Sequence, residues 1–265
     1  MKKFSLIFLS IWVAMITSAQ QKQGKVIYQR TAQVQMSINA NDQIAQILPK
    51  TRTDKFELTF GNNQSVWKHV DEDDAGDEIN TNGMQIKMMV AGQNDIVFHD
   101  FTAGKKVEQR DMMDKKFVVT DSIRKLNWKL TGETQTILGH VCQRAVAQRT
   151  GKRIQTTMDN GKLERKEIND TTNIIAWFTG DIPVPAGPEV QGQLPGLILG
   201  LEMNNGRVVY KALEISPKVD VASIREPTKG KKVTPEEFTK ERDQMMAEMQ
   251  KNNQGNGNTH IQIRN

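Results

Sequence analysis

The residues best able to carry out chemistry in this sequence are its single cysteine and its four histidines. His140 and Cys142 stand two positions apart, so on a strand both side chains would lie on one face. A thiol and an imidazole at that spacing could form a nucleophile if a third group oriented the imidazole, but nothing in the sequence supplies one. The other histidines, His69, His99 and His260, have no metal-ligand spacing to one another or to Cys142. We therefore predict no catalytic residue and interpret Cys142 as a small buried apolar side chain.

Two further features could bind a metal ion. The run from Asp71 to Glu78 places six acidic side chains in eight positions around Gly76, and carboxylates are hard ligands for divalent cations. The thirteen methionines supply thioethers, which suit copper(I). The acidic run lacks the twelfth-position glutamate of a calcium-binding hand loop, and adjacent methionines on a strand point to opposite faces. We therefore expect a solvated loop and adaptable packing, with no metal ligand and no cofactor, and keep a periplasmic metal-handling protein as the alternative.

Common enzyme motifs and nucleic-acid footprints are both missing from the sequence. It contains no Gly-x-Ser-x-Gly elbow, phosphate-binding loop or dinucleotide fingerprint. The formal net charge is +5, and two of the basic residues, Lys2 and Lys3, stand at the extreme amino terminus. No basic stripe with interleaved aromatic residues appears. These observations favour a protein that is not an enzyme and has no nucleic-acid partner.

A stiff loop between two apolar strands is the most distinctive stretch of the chain. Pro183, Pro185 and Pro188 fix φ and remove amide donors, so a helix and a central strand are both excluded there. A Pro195-Gly196 turn then leads into the apolar run 197–199, which is short enough to be a buried strand. Packing alone would explain such a loop, but a rigid loop can also form the rim of a binding site.

Three tryptophans, Trp67, Trp128 and Trp177, are possible stacking platforms for a ligand. A curved sheet leaves an apolar concavity, and concave apolar surfaces with a few polar groups are where ligands bind. We predict that the rim or floor of this concavity lies near the proline-rich loop. The predicted binding residues are Trp128, Trp177, Pro183, Leu194, Pro195 and Gly196.

Alternating apolar residues and turn signals predict the fold. Phe56, Leu58 and Phe60 alternate with polar residues, as in a strand with one wet face. Hairpin turns are predicted at Gly61-Asn62-Asn63 and at Asn204-Asn205-Gly206. The sequence therefore predicts a mostly β protein, with one curved antiparallel sheet of bowl-like or half-barrel form and an appended C-terminal helix.

Three local predictions concern less regular stretches. Asn41 and Asp42 can cap a short helix that Pro49 ends. Thr150-Gly151-Lys152 predicts another hairpin turn. The charged stretch 162–172 is interpreted as a surface excursion, helical in part.

The two ends of the chain differ from the region between them. Residues 1–19 have two lysines, an apolar core and a small-residue exit, as in a secretory signal peptide cleaved after Ala19. Residues 20–225 form the predicted β domain, and 226–251 a linker and helix that opens with a capping box at Thr234 and Glu237. Residues 252–265 are predicted to be disordered. No membrane-spanning segment is expected after cleavage, so the predicted location is the periplasm or the exterior.

Several segments together resemble one known family. Leu194-Pro195-Gly196-Leu197-Ile198 resembles the signature of the GLPGLI family of exported Bacteroidetes proteins, with Gln193 in place of the usual first glycine. The other matching segments are Trp128-Lys129-Leu130, 137–145 with His140 for the usual tyrosine, 176–179, 182–188 and stretches of the tail after 224.

This resemblance implies a fold more clearly than a function. The family is similar to the bowl-like amino-terminal domain of F-II-type peptide N-glycosidases, which implies a curved antiparallel sheet that holds something. We therefore expect a non-catalytic binding or accessory protein of the Gram-negative envelope, whose partner is an envelope protein, a glycan or an apolar ligand. Ser122 and Thr171 also lie in stretches that resemble acceptor sites for O-glycans on exported Bacteroidetes proteins.

Overall fold

The computed structural model describes residues 21–33, 50–70, 78–81, 84–87, 94–159 and 162–253. These residues form one α-helix, α1 (Pro235–Asn253), a short 3-10 turn at Val221–Ser223 and fourteen strands. The strands are β1 (Gly24–Gln33), β2 (Thr51–Gly61), β3 (Gln64–His69), β4 (Glu78–Thr81), β5 (Met84–Lys87), β6 (Ile96–Asp100), β7 (Lys105–Met112), β8 (Lys115–Ser122), β9 (Lys129–Ile137), β10 (His140–Asp159), β11 (Lys162–Thr179), β12 (Leu197–Met203), β13 (Val208–Ser216) and β14 (Lys231–Val233).

Twelve of these strands form a single open, curved sheet in the order β14-β8-β7-β6-β3-β2-β1-β13-β12-β11-β10-β9. Every neighbouring pair is antiparallel except β14 and β8, which are parallel. Strands β4 and β5 form a separate hairpin. The prediction of a mostly β fold with a curved antiparallel sheet and a C-terminal helix is confirmed. No helix of the described residues is long and apolar enough to cross a bilayer.

The strand registers define one face of the sheet, which we call the loop face. Leu58 of β2 pairs with Trp67 of β3, Trp67 pairs with Val97 of β6, and Val97 pairs with Glu108 of β7. Directly paired residues in antiparallel strands project to the same side. Tyr28 shares this side, since it pairs with Phe56, which lies two residues before Leu58 on β2.

The loop at 180–196 packs on this face and joins two apolar clusters. Its first half contributes Ile182 and Val184 to a cluster with Val26 and Leu58. Its second half contributes Val190 and Leu194 to a neighbouring cluster with Phe178 and Tyr210. The apolar run after the loop becomes β12, in which residues 197–199 are fully buried, as predicted.

Two local predictions on β10 and β11 are wrong. Thr150-Gly151-Lys152 does not turn the chain, because these residues pair with 169–171 inside one continuous ladder from Gln143 and Phe178 to Asp159 and Lys162. The stretch 162–172, predicted to be helical in part, is strand throughout. Each residue of the ladder gains a cross-strand partner, which outweighs a local turn or helix preference. The predicted short helix at 41–48 lies outside the described residues.

The C-terminal segment covers both faces of the β6–β8 region. Ile224 packs with Val66, Phe98 and Val107 on the side opposite the loop face. The chain then adds β14 to the edge of β8, and α1 packs on the loop face. The predicted capping box is present, since the Glu237 amide donates to Thr234 Oγ1 and the Thr234 amide donates to Glu237 Oε2.

Candidate functional site

The loop at 180–196 is held by its own backbone and by the strand that follows it. The Gly192 amide donates to the Pro185 carbonyl at 2.6 Å, and the Ile198 amide donates to the Ala186 carbonyl at 2.9 Å. Gly192 has φ of 78°, a conformation in which glycine carries no steric cost. A Cβ at Gly192 would also lie 2.8 Å from Ile123, so the loop backbone approaches the 123–128 segment closely. The loop is therefore a preformed platform.

Gly196 is required for a close approach of two chain segments and not for an unusual backbone angle. The φ angle of Gly196 is not positive, whereas several other glycines of the described residues have positive φ. A Cβ at Gly196 would instead lie 2.0 Å from the Thr179 carbonyl oxygen. Any side chain here would collide with the backbone of β11. A glycine is therefore needed at position 196 because the chain there touches the backbone of β11.

Trp128 contacts the loop through Gln193. Gln193 Oε1 accepts a hydrogen bond from Trp128 Nε1 at 3.1 Å and another from the Leu126 amide at 2.9 Å. Gln193 is the position at which the sequence departs from the signature it resembles, and a glycine there could not accept these two hydrogen bonds. The position that departs from the family signature therefore anchors the neighbouring segment in this protein.

The other predicted binding residues are divided between packing and exposed positions. Leu194 is buried in the same apolar cluster against which Trp128 packs. Trp177 packs at the other cluster, and its side chain approaches Gly200 of β12. Pro183 and Pro195 are exposed on the loop. The structure thus brings the six residues around one loop without placing them on one common surface, and their role in binding stays a prediction.

One half-buried aromatic group on the loop face, Trp67, is missing from the set of predicted binding residues. Trp67 is half-buried and stacks on Phe56, with ring centroids 5.0 Å apart and planes inclined by 16°. Tyr28 and Tyr210 approach the indole at 5.3 and 5.9 Å. The alternation of β3 indicates the face that Trp67 occupies, but not these neighbours, which come from distant strands.

Next to Trp67 lies a row of residues between the loop and α1. Trp67, Val97 and Glu108 are direct neighbours across β3, β6 and β7. The loop covers the β3 side, where Ser65 Oγ donates to Gln191 Oε1 at 2.6 Å. The helix covers the β8 side, where Phe238 packs edge-on against Phe117 at 5.4 Å. We call Trp67, Val97 and Glu108 the floor row.

Glu108 is a buried carboxylate paired with two cations on its own strand. Arg110 Nε donates to Glu108 Oε2 at 2.6 Å, and Lys106 forms an ion pair with the other carboxylate oxygen. Burial by itself would raise the pKa of Glu108, but the charges of Arg110 and Lys106 outweigh it and hold that pKa below its usual value. The Arg110 guanidinium also lies 5.2 Å from the ring centroid of Phe238 in α1.

Two titratable groups at β6 have pKa values far from their usual range. Burial raises the pKa of Asp95 to about 6, although the nearby charge of Arg110 acts in the opposite direction. Burial and the charge of Lys106 lower the pKa of His99 to about 4. His99 Nδ1 is buried and has no hydrogen-bond partner in the described part of the chain. At neutral pH His99 is therefore uncharged and Asp95 is mostly ionised.

The missing third group beside His140 and Cys142 does exist in the folded chain. Asp181 Oδ2 lies 3.1 Å from His140 Nδ1, so a carboxylate can orient this imidazole. Cys142 is nevertheless fully buried, and burial raises the pKa of its thiol to about 11. A thiol with that pKa is almost wholly protonated at neutral pH, and the buried sulfur cannot reach a substrate. The three residues therefore do not form a working nucleophile.

Metal binding finds no further support in the part of the chain that the structure describes. Among the described residues, no three histidine, cysteine, aspartate or glutamate side chains are grouped as metal ligands. Most of the acidic run, residues 71–77, lies outside the described ranges.

Ser122 and Thr171 are both exposed, as O-glycan acceptors would have to be.

The sheet, loop and helix define a β protein built on one large curved sheet. Residues 128–200 match the model of a family described as "Protein of unknown function (Porph_ging)". Over that part of the chain, the match supports the family resemblance predicted from the sequence. No curated protein matches the sequence.

Two structures of PNGF-II, in the space groups P21 and C2, are similar to this protein. Their TM-scores are 0.48 and 0.49, with 14% and 15% sequence identity. The superpositions cover 83% and 82% of this chain and 32% of each PNGF-II chain. The protein therefore spans about a third of the length of the structures that it matches.

Proposed function

We propose that this protein is an exported, non-catalytic binding or accessory protein of the Gram-negative envelope, and that it binds its partner on the loop face. The observation that carries the proposal is the floor row, in which half-buried Trp67 and Val97 lie between a rigid loop and a docked helix. Preformed apolar surfaces flanked by a few polar groups are typical of binding sites.

The chemistry of the site supports binding rather than catalysis. The buried carboxylate of Glu108 is neutralised by two cations, and the Cys142 thiol is inert at neutral pH. The predicted residues Trp128, Leu194 and Gly196 would serve the site by holding the loop in place. The partner would then be an envelope protein, a glycan or an apolar ligand.

A matched pair of valine substitutions tests the proposal. Val97→Arg places a long charged side chain on the floor row, whereas Val209→Arg places the same side chain on the opposite face of the sheet, where Val209 pairs with Thr31. Both variants are first checked for a cooperative melting transition. Immobilised protein is then exposed to separate protein, polysaccharide and lipid extracts of an envelope, and binding is measured by surface plasmon resonance.

The expected result is that one extract binds the parent and Val209→Arg, but not Val97→Arg. Equal binding by both variants, or no binding of any extract to the parent, would overturn the proposed site. Export is tested separately by mass spectrometry of the native protein. The expected mature chain begins after Ala19, and an intact segment 1–19 would contradict export by signal cleavage.

A further inference from the structure

The floor row crosses three neighbouring strands. Strands in a sheet are about 4.8 Å apart, so the distance from β3 to β7 across β6 is about 10 Å. Trp67 lies at one end of this span and Glu108 at the other, with Val97 between them. An occupant of this floor would therefore contact an aromatic ring, an aliphatic side chain and a charged cluster at once.

Trp67 has its aromatic partners on one side only among the described residues. Phe56, Tyr28 and Tyr210 belong to β2, β1 and β13, which all follow β3 in the same direction across the sheet. On the other side β6 places Val97 beside the indole. A flat group above Val97 could therefore approach Trp67 from the side that these rings leave open.

The charges at the far end of the floor balance. Lys106 and Arg110 are both paired with Glu108, and the charge of Arg110 also lies close to Asp95. Two cations thus face two carboxylates. An ammonium group has three hydrogen-bond donors and a guanidinium five, so Lys106 and Arg110 retain donors after pairing, and the carboxylates retain acceptor sites.

We infer that the floor row binds an uncharged, polyhydroxylated ring, which is the chemistry of a neutral sugar. The inference rests on the proposed function and specifies its ligand class. The C–H face of such a ring packs on Trp67 and Val97. Its hydroxyl groups both donate and accept, so they match the spare donors of Lys106 and Arg110 and the acceptors of Glu108 together.

Other ligand classes fit the floor less well. Because the two carboxylates balance the two cations, the cluster has no net charge to attract either an anion or a cation. A purely apolar ligand would remove water from the partly exposed cations and supply no hydrogen bond in return, which costs free energy. A neutral polar ring with hydroxyl groups satisfies both halves of the floor.

A three-probe titration tests the ligand class. The probes are methyl glucoside, glucuronate as its anionic counterpart, and hexanol as an apolar compound. The readout is the NMR shift of the indole N–H signals of Trp67, Trp128 and Trp177, assigned from single Trp→Phe variants. Trp177 lies on β11, five strands from β3 in the sheet order, and is the internal control.

The expected result is that methyl glucoside shifts the Trp67 signal, leaves the Trp177 signal in place and binds more tightly than both other probes. Glu108→Gln, which breaks the charge balance, should weaken methyl glucoside and favour glucuronate. If glucuronate or hexanol shifts Trp67 and methyl glucoside does not, the sugar inference is wrong and the floor remains a binding site. If no probe shifts Trp67 at tens of millimolar, the inference and the proposed site both fail.

Discussion

The hydroxyl group of Tyr28, in the first strand, donates a 2.7 Å hydrogen bond to the carbonyl oxygen of Ile198, in the strand that follows the loop. Both residues are fully buried. The bond therefore ties the start of the sheet to the end of the loop inside the core. The run 197–199 enters the core directly after a turn. The hydrogen bond from Tyr28 gives the buried Ile198 carbonyl oxygen a donor there.

Replacing Tyr28 with phenylalanine should destabilise the fold by about 1 to 2 kcal/mol, because the Ile198 carbonyl oxygen would lose this buried donor. The control is Thr59→Val. The Thr59 hydroxyl donates only a long, 3.4 Å hydrogen bond to the Val66 carbonyl in a partly buried position, so its loss should cost less. Chemical denaturation of both variants measures the two free energies. Equal losses would contradict the special role of the Tyr28 bond.

Gly196→Ala should destabilise the protein by about 3 kcal/mol, because its Cβ would lie 2.0 Å from the Thr179 carbonyl oxygen and the backbone would have to move. Gly180→Ala is the control, since nothing lies within 4 Å of a Cβ there. Thermal melting of both variants is the measurement. A Gly196→Ala curve that overlays the parent curve would show that the signature glycine is not needed for packing.

Asp95 and His99 should give opposite pH dependences of stability. The pKa of His99 is lowered to about 4, so the unfolded chain binds its proton more readily and stability falls as the pH drops from about 6.5 to 4. The pKa of Asp95 is raised to about 6, so the folded chain binds its proton more readily and stability falls as the pH rises from about 4 to 6. Between pH 4 and 6 the two effects oppose each other.

Single variants should separate these two effects. Relative to the parent, His99→Phe should gain stability as the pH falls towards 4, by about 2 to 3 kcal/mol. Asp95→Asn should gain a similar amount as the pH rises above 6. Denaturation at a series of pH values measures both differences. A His99→Phe difference that does not change with pH would show that His99 is not buried in its neutral form.

Thr234→Ala should lower the stability of the α1 end of the molecule by about 1 kcal/mol, because the Glu237 amide would lose its capping acceptor. Thr239→Ala is the control, since the Thr239 hydroxyl only donates to the Pro235 carbonyl of the preceding turn. That change should be neutral or slightly stabilising. Hydrogen exchange of the helix amides measures both effects locally, and equal exchange in the two variants would count against the cap.

Features set by neighbouring residues could be predicted from the sequence. The hairpin turns after β2 and β12, the loop rich in proline, the buried run 197–199 and the capping box of α1 all depend on residues within a few positions of one another. Alternating apolar residues likewise indicated a β protein with one buried face. These signals are local, so they hold whatever the rest of the chain does.

The candidate site depended on contacts that the sequence does not encode locally. The floor row exists because the registers of three strands bring Trp67, Val97 and Glu108 side by side, and registers are set by long-range pairing. The same pairing kept Gly151 inside a strand, and chain folding brought Asp181 to His140. The sequence by itself determined the class of fold, its turns and its stiff loop. Only the tertiary structure decided which side chains share the loop face, because that choice is made by residues far apart in the chain.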